Sequence, residues 1–152
     1  MLMFYLGGID AVDLAQLRYD HHVANGRIKF TRAKGGTNAF INNKLFDPAL
    51  RILDRFSCYP YLVPIYKYSS QNDFISNMND RFYSRLLDLN LTRRPLTKSA
   101  RYSFINRAQQ LLIDERITAE IVGHKRKTTT SIYSNSFPLE VRDQAHAKII
   151  DV

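Results

Sequence analysis

The sequence holds a single cysteine, Cys58, and that scarcity removes two classes of architecture. It allows no disulfide framework and no zinc cluster built on cysteine, and it points to a reducing, intracellular compartment. No apolar run is long enough to cross a bilayer. The opening Met1-Leu2-Met3-Phe4-Tyr5-Leu6 is apolar but short, and it lacks the basic flank and cleavage site of a signal peptide. It reads instead as the interior of a longer helix, so the chain is expected to be a fragment of a larger protein. Internal repeats, low-complexity tracts and linkers are missing too. The 152 residues are therefore read as one domain, 1–152, large enough for its own core. The histidines His21, His22, His124 and His146 show no partnered ligand spacing, so no metal is expected.

Acid is the other scarce commodity. Against 22 Lys and Arg stand 14 Asp and Glu, a formal charge of +8. A basic domain often meets a polyanion, nucleic acid most commonly, although surplus cations also serve solubility. The basic residues are unevenly placed. Between His21 and Phe46 lie Arg27, Lys29, Arg32, Lys34 and Lys44 with no acid. Between Leu91 and Tyr133 lie Arg93, Arg94, Lys98, Arg101, Arg107, Arg116, Lys125, Arg126 and Lys127 against three acids. Each segment reads as a solvated face, or as half of a phosphate-binding footprint if the two converge.

Periodicity predicts the elements. Ile9, Val12, Leu14 and Leu17 recur at helical spacing. Gly26 to Arg32 alternates as a half-buried strand does, Gly35-Gly36 supplies a turn, and Ala39-Phe40-Ile41 reads as the returning strand. Helices are expected over Asp47–Phe56 (Leu50, Ile52 and Leu53 inward) and Ser69–Leu89. Others are expected over Lys98–Ile113, Ile117–Val122, Thr128–Tyr133 and Leu139–Ile150, with Pro60 to Pro64 as loop. On the Lys98 helix the apolar stripe is Phe104, Ile105, Ala108, Leu111 and Leu112. The fold class is mainly α with a small antiparallel β-sheet (α+β).

One feature of the Lys98 helix is chemical. Lys98 and Arg101 are three apart, on one face of the first turn, where the helix dipole favours anions. Arg101 also leads into the apolar stripe. Either it snorkels at the edge of the core or an anion waits for it.

The segment Ile121-Val122-Gly123-His124-Lys125-Arg126-Lys127-Thr128-Thr129-Thr130-Ser131-Ile132-Tyr133 carries the strongest pattern. It joins an apolar residue, Gly-His, a polar turn, paired threonines and a tyrosine nine residues after the histidine. This resembles the carboxyl-terminal signature of tyrosine recombinases, the phage-type integrases. Leu96-Thr97-Lys98-Ser99-Ala100-Arg101 resembles that family's His-x-x-Arg segment, with Lys98 in the place of the usual histidine. Lys34 beside Gly35 matches its strand-turn lysine, and Phe4-Tyr5-Leu6-Gly7-Gly8-Ile9 with Val12-Asp13-Leu14 its opening catalytic segment. The resemblance spans essentially the whole chain. One departure stands out: Gly7 occupies the position of the family's first catalytic arginine. Arg18 reads as a solvated helix-end residue, and Arg93 or Arg94 is the alternative cation. Losing one such donor typically costs about 3 kcal/mol of transition-state stabilisation.

The resemblance implies the tyrosine recombinase catalytic-domain fold (the DNA breaking-rejoining enzyme fold) and a chemistry. Tyr133 would attack a DNA phosphate, leaving a 3′-phosphotyrosyl link and a free 5′-hydroxyl. A tyrosine hydroxyl has an ordinary pKa near ~10, so it needs an electropositive setting or a base. Arg101 would hold non-bridging oxygens through its planar fork, with His124 and Lys98 as further donors. Lys34 would protonate the leaving oxygen as general acid. Arg32, Arg93, Arg94, Lys125, Arg126 and Lys127 would contact DNA. One phosphodiester replaces another, so no cofactor is required. The implied partners are double-stranded DNA and copies of the same chain. The seam Val141, Ala145, Ile149 of the last helix either packs on its own domain or docks onto a neighbour in a tetramer. No membrane partner is implied, and the setting would be the cytoplasm and nucleoid of a bacterium, with the gene carried by a phage, transposon or other mobile element. The missing amino-terminal part would be a core-binding domain. Two other readings stay open: a catalytically impaired DNA-binding relative, suggested by Gly7, and a type IB topoisomerase, which would not depend on site pairing.

Overall fold

A computed structural model of the chain describes residues 1–33, 38–56, 58–88, 96–124 and 136–151, and the side chains of all of these except 66, 86 and 87. The architecture is mainly helical with a three-stranded antiparallel sheet. Helix α1, Leu2–Tyr5, buries Met3 and Phe4 and stops at Gly7-Gly8, where φ is +94° and +68°. Such angles suit glycine, whose missing Cβ removes the clash that other residues meet there. Helix α2, Ala11–Gln16, follows. Asp10 holds its N-cap position yet makes no side-chain capping bond, because its carboxylate is engaged by Arg32.

Helix α3, Tyr19–His22, leads into β1, Val23–Ala24, and β2, Arg27–Thr31. The turn between these strands is Asn25-Gly26, both at positive φ, and the register Ala24↔Arg27 makes it a two-residue hairpin. Asn-Gly is the pair best suited to that turn, since its twist matches that of the strands. Strand β3, Phe40–Lys44, pairs with β2 in the register Lys29↔Asn42. It runs further than the Ala39–Ile41 expected, because Asn43 points inward and finds buried acceptors. Inward-facing Ile28, Phe30 and Ile41 form the apolar underside of the sheet.

Helix α4, Asp47–Phe56, has the expected bounds, but Ala49 and Leu53 are its buried positions and Leu50 is 43% exposed. Helix α5, Gln71–Asp88, buries Phe74. Helix α6, Ser99–Gln110, ends three residues before the expected Ile113. There Leu112 takes φ +54°, with Leu112 N–H on the Gln109 carbonyl and Ile113 N–H on that of Ala108. This is a Schellman ending with leucine where glycine is usual, which is why the stop was invisible in the sequence. Leu112 leaves the apolar stripe and stands 91% exposed.

Helix α7, Glu115–Val122, is capped by the Asp114 carboxylate, which accepts from Arg116 N–H, and closes on Gly123 at φ +71°. A Cβ on Gly123 would lie 2.5 Å from Arg32 Cδ and 2.6 Å from Ile41 Cδ1, so conformation and space both require glycine. Helix α8, Leu139–Ile150, buries Ala145, His146, Ile149 and Ile150 against α6 and α7 of the same chain. Val141, expected on the same seam, is 38% exposed. The apolar seam is thus occupied in cis, and Arg107 closes the helix end by donating to the carbonyls of Ile149 and Asp151.

Two apolar clusters result. One gathers Leu6, Ile9, Leu14, Ile28, Ile41 and Leu53, and the other Phe4, Phe104, Ile121, Val122 and Ile149. Among the described residues no helix is long and apolar enough to cross a membrane.

Candidate functional site

Where the two clusters meet, the polar residues of four distant segments converge. Arg32 leaves the end of β2 and turns inward. Its Nη2 donates to Asp10 Oδ2 at 2.6 Å, its Nε to Asp13 Oδ2 at 3.5 Å, and its Nη1 to the Gly123 carbonyl at 2.7 Å. Asp13 accepts in addition from the Ala33 main-chain N–H at 2.9 Å. Arg101, in the first turn of α6, donates to the Gly8 carbonyl at 3.0 Å and the Val122 carbonyl at 2.7 Å, and lies 3.9 Å from Asp10 Oδ2. All four charged residues are buried.

The arrangement is electrostatically closed. Two guanidiniums face two carboxylates, which is what makes a buried charged cluster tolerable at all. The carboxylates sit at the N-terminal end of α2 and the guanidiniums at the C-terminal end of α7, each where the helix dipole favours its sign. Burial, and then the neighbouring Arg32, pulls the Arg101 guanidinium down from its ordinary value. Arginine nevertheless keeps its charge in proteins.

His124 follows directly. Its N–H closes α7 on the Ala119 carbonyl at 2.8 Å. The residue as a whole is exposed, yet partial loss of water around the imidazole, then the nearby charges of Arg101 and Arg32, hold its pKa below the ordinary histidine value. At neutral pH the ring is therefore in its neutral form, able to give one proton or take one. Lys98 sits in the N-cap position of α6 and is exposed. It lines a cleft of about 200 Å³ together with Asp10, Val12, Asn79 and Thr97. Lys98 and Arg101 thus occupy different environments, one in solvent and one in the core. Lys98→Ala is expected to shift stability by no more than about 0.5 kcal/mol in urea unfolding.

Several expectations are revised. Arg32, expected on DNA, is a buried ion-pair partner. Arg27 and Arg116 are held by Asp143 and Asp114, and Arg107 by the carbonyls at the end of α8. These side chains are engaged by local carboxylates and carbonyls, so among the described residues the two basic segments contribute less free cation than their composition suggests. Arg18 is paired with Asp20 at 2.6 Å and lies over the Tyr61 ring. Gly7 leaves no room for a side chain, since a Cβ there would lie 2.5 Å from Asn43 Nδ2 and 3.0 Å from Ile121 Cγ2. Lys34, Arg93, Arg94, Lys125, Arg126, Lys127 and Tyr133, with the helix expected over Thr128–Tyr133, lie outside the described residues.

Three residues of the site escaped sequence reasoning as functional groups. Asp10 gave a partial signal, an N-cap residue type before an apolar run. Asp13 stood inside the opening segment without a role. Asn43 gave none beyond being a poor strand former in a strand. It is 2% exposed, and its Nδ2 donates to the carbonyls of Leu6 at 3.1 Å and Ile121 at 3.0 Å. Among the described residues no three His, Cys, Asp or Glu side chains gather as metal ligands. Neither a family model, nor a curated protein, nor a solved structure matches the chain.

Proposed function

We propose that this chain is the catalytic part of a tyrosine-type DNA recombinase, which cleaves and rejoins DNA strands through a 3′-phosphotyrosyl intermediate at the ends of a mobile element. The observation that carries the reading is convergence. The opening segment, the end of β2, the first turn of α6 and the Gly123-His124 corner were singled out separately in the sequence, and they meet around Arg32 and Arg101. Ala33, which precedes Lys34 in the chain, bonds Asp13, and His124, nine residues before Tyr133, closes α7 at that corner. In this reading Tyr133 is the nucleophile, Lys34 the general acid, and His124 and Lys98 donors to the phosphate. Arg101 organises the pocket and meets the phosphate when DNA is present. Double-stranded DNA is the partner, and assembly into a tetramer on DNA belongs to the proposal.

Two observations favour a second reading, a relative that binds DNA without cutting it. Position 7 admits no side chain, and both terminal nitrogens of Arg101 are committed to carbonyls. A covalent-trapping assay separates the two. DNA spanning the element's ends, with metal chelated, is expected to give an SDS-resistant adduct with the wild type. The adduct should disappear in Tyr133→Phe, a loss beyond the roughly 10²–10³-fold effect of removing one transition-state donor. No adduct on DNA that is demonstrably bound would select the second reading.

A further inference from the structure

We propose that Asn43 is a positioning residue, whose single amide locks the Leu6–Gly8 turn to the last turn of α7 and so sets where Arg101 and His124 stand. The inference deepens the recombinase reading and rests on it for its catalytic meaning. Its geometry stands independently.

The last three carbonyls of α7 and its cap lack helical partners, as carbonyls at a helix C-terminus do. Each is met by a different buried side chain: Ile121 by Asn43, Val122 by Arg101 and Gly123 by Arg32. Asn43 and Arg101 do more than satisfy this helix end. Both also reach the turn after α1, Asn43 on the Leu6 carbonyl and Arg101 on that of Gly8. The amide and the guanidinium are parallel rungs between the same two segments. Arg101 is one of the groups being positioned, so Asn43 is the rung that lies outside the catalytic set.

The residue type fits this role. An amide nitrogen carries two hydrogens, enough for two carbonyls, whereas serine or threonine offers one. On a sheet underside otherwise made of Ile28, Phe30 and Ile41, a polar side chain is unfavourable unless its hydrogen bonds are made. Gly7 belongs to the same device, because any Cβ there would press on the Asn43 amide. Losing the amide leaves the segment that carries His124 held by fewer rungs.

The test is a histidine titration by NMR on the folded chain, with Asn43→Ala and Asn43→Ser compared with the wild type. Leu53→Ala, a cavity on α4 in the apolar cluster that does not include α7, serves as a control for general destabilisation. Asn43→Ser retains one donor and keeps the comparison available if Asn43→Ala does not fold. The expected result is an upward movement of the His124 titration toward the ordinary histidine value in both Asn43 variants, with none in Leu53→Ala. Water would return to the ring and the two guanidiniums would draw back. An unchanged His124 in both Asn43 variants, or an equal movement in Leu53→Ala, overturns the proposal. Adduct formation is measured in parallel. A His124 shift without any adduct in the wild type would uphold the positioning and refute the recombinase reading, while an adduct without the shift would do the reverse.

Discussion

Arg32→Ala is expected to lower the unfolding free energy by about 3–5 kcal/mol, the usual consequence of removing one partner from a buried ion pair. The side chain is 8% exposed and answers Asp10, Asp13 and the Gly123 carbonyl. Without it, Arg101 at 3.9 Å from Asp10 is the remaining cation against two buried carboxylates. Arg32→Lys keeps the charge but loses the planar fork that reaches three acceptors at once, so it should recover only part of the loss. A DNA-contacting arginine would behave in the opposite way. Its removal would leave stability within about 0.5 kcal/mol and lower the salt dependence of DNA binding by roughly one unit of slope. Urea unfolding of Arg32→Ala and a salt titration of its DNA affinity decide between the two roles. A stability change under about 1 kcal/mol with a reduced salt slope would show that Arg32 faces phosphate rather than Asp10.

Acidification from pH 6.5 to pH 4 is expected to remove about 3 kcal/mol of stability through one residue, His146. The ring is 1% exposed, stands edge to face with Phe46 and Phe104 at 5.1 and 5.4 Å, and is bonded through Nε2 to the Tyr5 carbonyl at 3.1 Å. A carbonyl only accepts, so Nε2 carries the hydrogen of this bond in either protonation state. Burial pushes its pKa from 6.5 down to about 4. The Tyr5 bond and Asp143 oppose that shift, while Arg27 and Arg142 add to it. Between these two values the unfolded chain binds a proton that the folded chain refuses, so stability falls as pH drops through this window. Well above pH 6.5 neither state is protonated and this contribution is complete; well below about 4 both are, and the loss from His146 stops. His124 and His22, both also held below the ordinary value, add slope of the same sign. Urea unfolding at several pH values in this window, with His146→Gln alongside, checks the assignment. Glutamine keeps a donor for the Tyr5 carbonyl but does not titrate. Its slope should be shallower than the wild type by about one proton, and equal slopes would place the acid sensitivity elsewhere.

Local chemistry made much of the fold legible. The alternation of Arg27–Thr31 and the spacing of Asp47–Phe56 and Leu139–Ile150 predict elements close to those observed. Gly123 after an apolar helix predicts its stop, since a left-handed residue is needed there. The misses were of two kinds. Some signals were local but atypical: Leu112 in glycine's place ended α6 early, and the asparagines of β3 hid the length of the strand. The hairpin turn Asn25-Gly26 was a plain signal, overshadowed by the glycine pair that follows.

The other misses were of partners. The sequence states that Arg32 and Arg101 are cations in acid-poor stretches, and a cation in such a stretch reads naturally as a phosphate contact. Pairing is a property of space. Arg32 is 22 positions from Asp10, and Arg101 is 93 from Gly8. Only the packing of α6 on α1, and of the end of β2 on the residues at the start of α2, brings those groups within bonding distance and turns surface charge into buried structure. The sequence by itself determined the helical class, the antiparallel sheet and the corner at Gly123-His124, because helical period, strand alternation and turn conformation are set within a few residues. The tertiary structure alone decided which arginines are held inside, that Asn43 joins two segments, and that no side chain fits at Gly7. Each of these depends on atoms far apart in the chain sharing one small, water-poor volume, where an unmet charge or carbonyl is costly.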